Sequence, residues 1–317
     1  MDSRLKMSSS NNDSDEMMVC ACCGIAEIDD IKLKDCDDCD LVRYCSDECR
    51  EEHKSQHEEA CNIRAAGIRD ELLFKQPEST HLGECPICCL PLPLDMYKNT
   101  MYNCCSKLIC RGCNTAYQFN IANQSRERRT RLEKSCPFCR KPLPKTDEDE
   151  TKLRMKRVAV NNPTALCHEG MVQYSNGNYF KAFGYYKKAA DLGVVEAHYR
   201  LACLYGDGKG VEEHTEKEIY HLEKATIGGH PDARYRLGKF EWINKQNYGR
   251  AVKHWIISAT QGDEYSMKAL LEIFEDGLVS EKDLTATLRA HKAAVDAAKS
   301  PIREVVERAW EKCRKRA

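Results

Sequence analysis

The sequence predicts a multidomain chain: two small cysteine-rich fingers of mixed α/β structure, followed by an all-α solenoid of helical repeats. Three observations carry that expectation. Seventeen of the 20 cysteines precede residue 140. Most of them fall in pairs at the short spacings of metal knuckles. Beyond them, three similar helical stretches begin at Lys181, Lys217 and Arg250, which is 36 and then 33 residues apart.

The composition narrows the function classes. Across 317 residues, 49 Lys and Arg balance 50 Asp and Glu, a formal net charge of −1. No whole-protein field therefore favours nucleic acid or an acidic membrane. No apolar run approaches the roughly 18 residues a membrane helix needs. The start, MDSRLKMSSSNNDSDEMM, lacks an apolar signal region and is too acidic for a transit peptide. Residues 1–16 read as a disordered tail, and the expected location is cytosol or nucleus. In that reducing setting paired cysteines read as metal ligands instead of disulfides.

Residues 20–61 read CACCGIAEIDDIKLKDCDDCDLVRYCSDECREEHKSQHEEAC. Two residues separate Cys20 from Cys23 and Cys36 from Cys39, while three separate Cys45 from Cys49. Seven more lead to His57, and three to Cys61. Eight ligands suffice for two closed tetrahedral sites of structural zinc. The three-residue gaps put Cys45 with Cys49, and His57 with Cys61, on one helix face. Order and spacing, including YC before the third pair, resemble the MYND-type finger, expected over 17–62. The resemblance implies interleaved pairs: Cys20, Cys23, Cys45 and Cys49 on one zinc, Cys36, Cys39, His57 and Cys61 on the other. Cys22 is a spare thiol that leaves a second register open, and His53 competes with His57. Fingers of this type dock short proline-containing peptides. Lys54 stands where the family commonly has tryptophan, which puts the peptide groove in question.

After an expected helical linker, 63–80, a second set of knuckles follows. Cys85 pairs with Cys88 in CPIC, Cys110 with Cys113 in CRGC, and Cys136 with Cys139 in CPFC. CPIC followed by CPFCRKP resembles a RING finger, expected over 81–146. Its cross-brace implies Cys85, Cys88, Cys110 and Cys113 on one zinc. Lys107 occupies the usual histidine position, and a protonated amine is a poor zinc ligand. Some RING fingers use only cysteine, which would place Cys104 and Cys105 with Cys136 and Cys139. Adjacent residues of an extended chain point in opposite directions, so that pair needs a turn. Cys89 or water completing the site stays open. Four zinc ions in all are expected, two per finger.

A RING ubiquitin ligase acts by positioning a ubiquitin-charged conjugating enzyme. The resemblance carries its contact residues to Ile87 in the first knuckle, Tyr117 four residues past the sixth ligand, Pro137, and Arg140 after the last ligand. A planar guanidinium can donate to both partners at once. Each also has a structural reading, as core or ordinary surface. The basic run SRERRTRLEK, 125–134, carries no interleaved aromatics for base stacking, so nucleic acid is not expected as a partner.

A charged linker, 147–162, leads into the repeats, 163–300. The stretches KAFGYYKKAADLG, KEIYHLEKATIGG and RAVKHWIISATQG align, with Ala189, Ala225 and Ser258 in matching positions. Leu201, Leu237 and Leu270 match in the partner helices. The period and the string KAADLGVVEAHYRLACLYGDGKGV resemble SEL-like repeats, relatives of tetratricopeptide repeats. Three repeats with degenerate flanking helices near 163–175 and 283–298 imply a curved solenoid that binds a protein substrate or adaptor. Tyr185, Tyr186, Tyr205 and Trp255 read mainly as core. The basic helix 301–317 is expected to cap the solenoid.

Two functions follow. The first is a RING-type ubiquitin ligase whose repeats and MYND-type finger recruit protein partners. The second is a non-catalytic adaptor built from the same parts.

Overall fold

Three cysteine knuckles take the same tight turn. In the computed structural model, which describes residues 19–28, 30–122 and 135–314, Gly24, Cys89 and Arg140 each donate a backbone N–H to a cysteine carbonyl four residues earlier. The acceptors are Cys20, Cys85 and Cys136. Each cysteine in turn donates its N–H to the residue five positions on, Ile25, Leu90 or Lys141. The closing residue has positive φ in all three cases: 75° at Gly24, 53° at Cys89 and 57° at Arg140. Glycine adopts that conformation freely, whereas Cys89 and Arg140 hold it at a cost of about 1–2 kcal/mol. The tail 1–16 and the whole basic run 125–134 lie outside the described residues.

The chain forms two compact units, Met1–Leu73 and Phe74–Ala317. In the first, the opening knuckle leads to an antiparallel pair, β1 (Lys34–Asp35) and β2 (Arg43–Tyr44). The 28-residue helix α1 (Asp47–Phe74) follows, opening on Asp47 and Glu48, which complement the helix dipole. Its buried residues include His57 and Cys61. The segment expected to be a helical linker is helical only through Phe74. Pro77 follows shortly, and proline disfavours helical backbone at itself and before it.

The second unit opens with the other finger. Its hairpin pairs β3 (Asn99–Tyr102) with β4 (Lys107–Cys110), Tyr102 lying opposite Lys107. The N–H groups of both Cys105 and Ser106 donate to Tyr102 O, at 3.2 and 2.8 Å, and Ser106 has φ of 57°. This is the turn that adjacent cysteines need to face the same way. Helix α2 (Arg111–Ala122) completes the finger.

The remaining helices stack as hairpins: α3 (Asp147–Val158), α4 (Pro163–Ser175), α5 (Tyr179–Asp191), α6 (Val195–Asp207), α7 (Thr215–Ile227), α8 (Pro231–Ile243), α9 (Tyr248–Thr260), α10 (Glu264–Phe274) and α11 (Glu281–Ala297). Their starts are explicit in sequence. Asn162 caps α4 ahead of Pro163, His230 caps α8 ahead of Pro231, and Asp263 and Ser280 cap α10 and α11. Leu201, Leu237, Leu270, Ala189, Ala225 and Ser258 are all buried. Tyr186 and Trp255 are buried as well, while Tyr185 and Tyr205 are half-buried.

Close packing shows at Gly238 in α8. A methyl group there would lie 2.6 Å from Trp255 Nε1, which donates to Tyr235 O at 3.2 Å. Gly238→Val is expected to lower stability by about 1–3 kcal/mol, read as an earlier urea midpoint without loss of helicity at low denaturant.

The last helix, α12 (Pro301–Arg314), is the one expected to cap the solenoid. It packs against α2 of the second finger. Arg111 stacks over Trp310 at 4.6 Å, and Lys98 pairs with Glu307.

Candidate metal centres

In the first unit two clusters form, each with ligand atoms within 4.8 Å of one another. Cys20, Cys23, Cys45 and Cys49 make one, with Cys23 and Cys45 sulfurs 3.5 Å apart and Cys45 and Cys49 3.6 Å apart. Cys36, Cys39, His57 and Cys61 make the other, with Cys39 Sγ 3.2 Å from His57 Nε2 and Cys36 Sγ 3.7 Å from Cys61 Sγ. The knuckle turns supply one pair of each set, and α1 supplies Cys49, His57 and Cys61; Cys45, expected on the same helix face as Cys49, lies two residues before the helix begins. Spare Cys22 is turned to Glu52, 3.6 Å away. His53 hydrogen-bonds Tyr44 at 3.1 Å and stacks on His57 from outside. Lys54 is exposed and paired with Glu51.

The second unit repeats the arrangement. Cys85, Cys88, Cys110 and Cys113 gather at one point, and Cys104, Cys105, Cys136 and Cys139 at another. Cys139 Sγ lies 3.4 Å from Cys104 Sγ, and Cys105 Sγ lies 3.7 Å from Cys136 Sγ. Lys107 and Cys89 are exposed outside both sets. Backbone amides serve the sulfurs, Cys110 N–H to Cys85 at 3.5 Å and Cys113 N–H to Cys110 at 3.4 Å.

The donor sets suit a divalent ion. Burial opposes ionisation of Cys20, yet backbone N–H groups at Cys23, Cys45 and Cys22 outweigh it and bring the thiol down to about 6. Hydrogen bonds to Cys23 and Cys49 push neighbouring Cys45 up to about 12. In the second finger, burial likewise opposes and amides at Cys110, Cys88 and Ile87 outweigh, leaving Cys85 at about 7. Four thiols at such separations cannot all ionise without a cation between them.

The four expected conjugating-enzyme contacts occupy different environments. Ile87 is 44% exposed and Arg140 is exposed, each at a knuckle tip. Tyr117 and Pro137 are half-buried, and the Tyr117 hydroxyl donates to Ser135 O at 3.1 Å, tying α2 to the last knuckle.

Sequence reading missed a buried cluster of His81, Glu196 and His230, also within 4.8 Å. Its members are 115 and 34 residues apart in the chain, with no motif spacing to signal them. Ala233 N–H donates to His230 Nδ1, which leaves the proton on Nε2 to be given to Glu196 Oε2 at 3.0 Å. His81 Nε2 lies 3.3 Å from the same oxygen, and Arg200 Nε donates to the other at 2.6 Å. The imidazoles stack 4.0 Å apart, only 6° from parallel. Lone pairs lie in the ring plane, so parallel rings point side by side and do not converge on one ion. The cluster is a hydrogen-bonded clasp holding the 75–84 segment on the repeats, helped by His81 N–H to Gly229 O at 3.2 Å.

The MYND finger profile matches residues 20–61. That segment is a MYND finger, and the family implies zinc. The Sel1 repeat profile matches 167–194, 195–230 and 231–263. These frames pair α4 with α5, α6 with α7 and α8 with α9. The flanking helix near 163–175 thus belongs largely to the first matched repeat.

Two proteins share part of the chain. Chitin synthase regulatory factor 2 of Schizosaccharomyces pombe is 28% identical over 143 residues, 41% of this chain and 28% of that protein. DAP3-binding cell death enhancer 1 of Mus musculus is 24% identical over 177 residues, 43% of this chain and 34% of that protein. The chain therefore matches about a third or less of either relative's length. Among solved structures, a Sel1 repeat protein from Oxalobacter formigenes aligns with TM-score 0.42 and 22% identity, covering 49% of this chain and 66% of that one. The c5321 protective antigen of uropathogenic Escherichia coli aligns with TM-score 0.37 and 19% identity, covering 52% and 37%. Among the described residues, no helix is long and apolar enough to cross a membrane.

Proposed function

We propose that this chain is a zinc-built scaffold for protein partners, in which the MYND finger and the Sel1 repeats provide recognition surfaces and the second finger is architectural. The observation that carries this reading is that the second finger belongs to the same compact unit as the repeats. Asn103 of its turn bonds Glu150 of α3, and Arg154 of α3 bonds buried Glu169 of α4 at 2.6 Å. A finger integrated in this way serves to end and brace a solenoid. The names of the two relatives, a regulatory factor and a DAP3-binding cell death enhancer, agree with a role exercised by binding. Zinc is assigned to all four clusters, with the sixteen ligands named above. Exposed aromatics on the repeat helices, including Phe180 at 79% and Tyr220 at 52%, suit protein contacts.

The ubiquitin-ligase reading is kept second on one observation: Ile87 and Arg140 stand exposed at the tips of equivalent knuckles. Single-turnover discharge of ubiquitin from a panel of charged conjugating enzymes separates the two. The scaffold reading expects no acceleration by protein verified to carry four zinc ions. Acceleration by the wild type, lost in both Ile87→Ala and Arg140→Ala variants that retain zinc, would reverse the order.

A further inference from the structure

The C-terminal helix lies against the Cys85, Cys88, Cys110 and Cys113 cluster. Arg303 of α12 is buried, at 7% exposure. Its Nη2 donates to Cys88 Sγ at 3.1 Å and to Leu90 O at 3.3 Å, while Nη1 donates to Pro91 O at 2.7 Å and Ala298 O at 2.6 Å. One guanidinium thus holds a proposed ligand sulfur and the carbonyls that shape its knuckle, 215 residues away in sequence.

The approach is built for contact. A methyl group on Gly112, between Cys110 and Cys113, would lie 2.9 Å from Arg303 Cγ and 3.1 Å from its Cα. Any larger residue there would push the helix off the site. Arg111 over Trp310 and Lys98 with Glu307 flank the same seam.

Zinc held by four thiolates is a dianion. Buried, it needs hydrogen-bond donors on its sulfurs and a counter-charge nearby. Two backbone amides supply donors within the finger, and Arg303 supplies a donor together with positive charge. We propose that Arg303 is a positioning residue for the first zinc of the second finger, so that docking of the C-terminal helix and retention of that ion are coupled. The proposal rests on zinc occupying that cluster.

Full-length protein tests it. Native mass spectrometry first counts the ions in the wild type, and fewer than four with this cluster empty overturns both the zinc assignment and the proposal. With four present, transfer of zinc to a chromophoric chelator is followed for wild type, Arg303→Met and Arg303→Lys. Arg303→Met keeps the aliphatic stem but removes the donors. One ion is expected to leave about 10–100-fold faster, the others at wild-type rates, with Arg303→Lys recovering part of the loss. In the cobalt-substituted protein, losing the N–H···S bond makes the thiolate a better donor and moves its charge-transfer band to lower energy. A role in packing alone would leave that band in place. Unchanged release with an unmoved band, or faster release of all ions equally, overturns the proposal. If Arg303→Met does not fold, Arg303→Lys carries the test, since its single ammonium cannot serve both sulfur and carbonyls. Its band is then expected to move the same way by less, and an unmoved band overturns the proposal.

Discussion

Stripping zinc is expected to unfold both fingers while the repeat helices persist. The second finger's core is Cys85, Leu92, Tyr102, Cys104, Ile109, Cys110, Cys113 and Cys136, of which five are proposed ligands. Remove the ions and this core becomes a set of mutually repelling or protonated thiols around three hydrophobic side chains. Structural zinc contributes about 10–16 kcal/mol in finger peptides, against a net stability of about 5–15 kcal/mol for a whole domain. The repeats have cores of their own, such as Leu166, Tyr186, Leu201 and Leu204, with no proposed ligand among them. Hydrogen exchange before and after chelation is the measurement. Protection should vanish over 85–113 and over the MYND finger and persist in α5–α9. Retained protection at 85–113 after complete metal removal would sink the assignment of zinc to the second finger.

The second large effect is expected from Glu196. Its carboxylate accepts from His230 and from Arg200, with His81 3.3 Å away. Burial opposes the charge, but those hydrogen bonds and Arg200 outweigh it and hold the group well below the usual carboxylate range. Glu196→Ala leaves the half-buried Arg200 guanidinium and the neighbouring imidazoles without their acceptor, a loss of about 3–5 kcal/mol. For a unit of this size the melting temperature should fall by roughly 6–20 °C.

The same clasp is expected to respond to acid. Burial lowers His230 to about 4, the neighbouring carboxylate only partly offsetting it. A histidine depressed in the folded state contributes stability that is full above its unfolded value of about 6.5 and is lost as pH falls towards 4. Glu196, depressed in the fold, acts in the same direction lower down, its contribution being lost below the unfolded carboxylate value of about 4.3. Exchange protection of residues 76–84 should therefore decline between pH 6.5 and 4 in the wild type. Protection independent of pH across that window would show that the clasp does not hold the segment.

The sequence by itself determined the metal-finger regions and the repeats, because both are local. A two-residue gap between cysteines closes one turn, and three residues separate ligands on a helix by one turn, so the Cys20 and Cys23 knuckle and the His57 with Cys61 pair are legible without a structure. The repeats announce themselves by period, through Leu201, Leu237 and Leu270. Only the tertiary structure decided which thiols converge. Cys104 and Cys105 meet Cys136 and Cys139 because a turn onto Tyr102 O orients them, and Cys22 is drawn aside by Glu52. It alone placed α12 on the second finger and gathered His81, Glu196 and His230. Arg303 and Cys88 are 215 residues apart, and no spacing rule links them. Such contacts arise when hydrophobic packing brings distant helices together, and the sequence carries them only as one buried cation and one glycine too small to obstruct it.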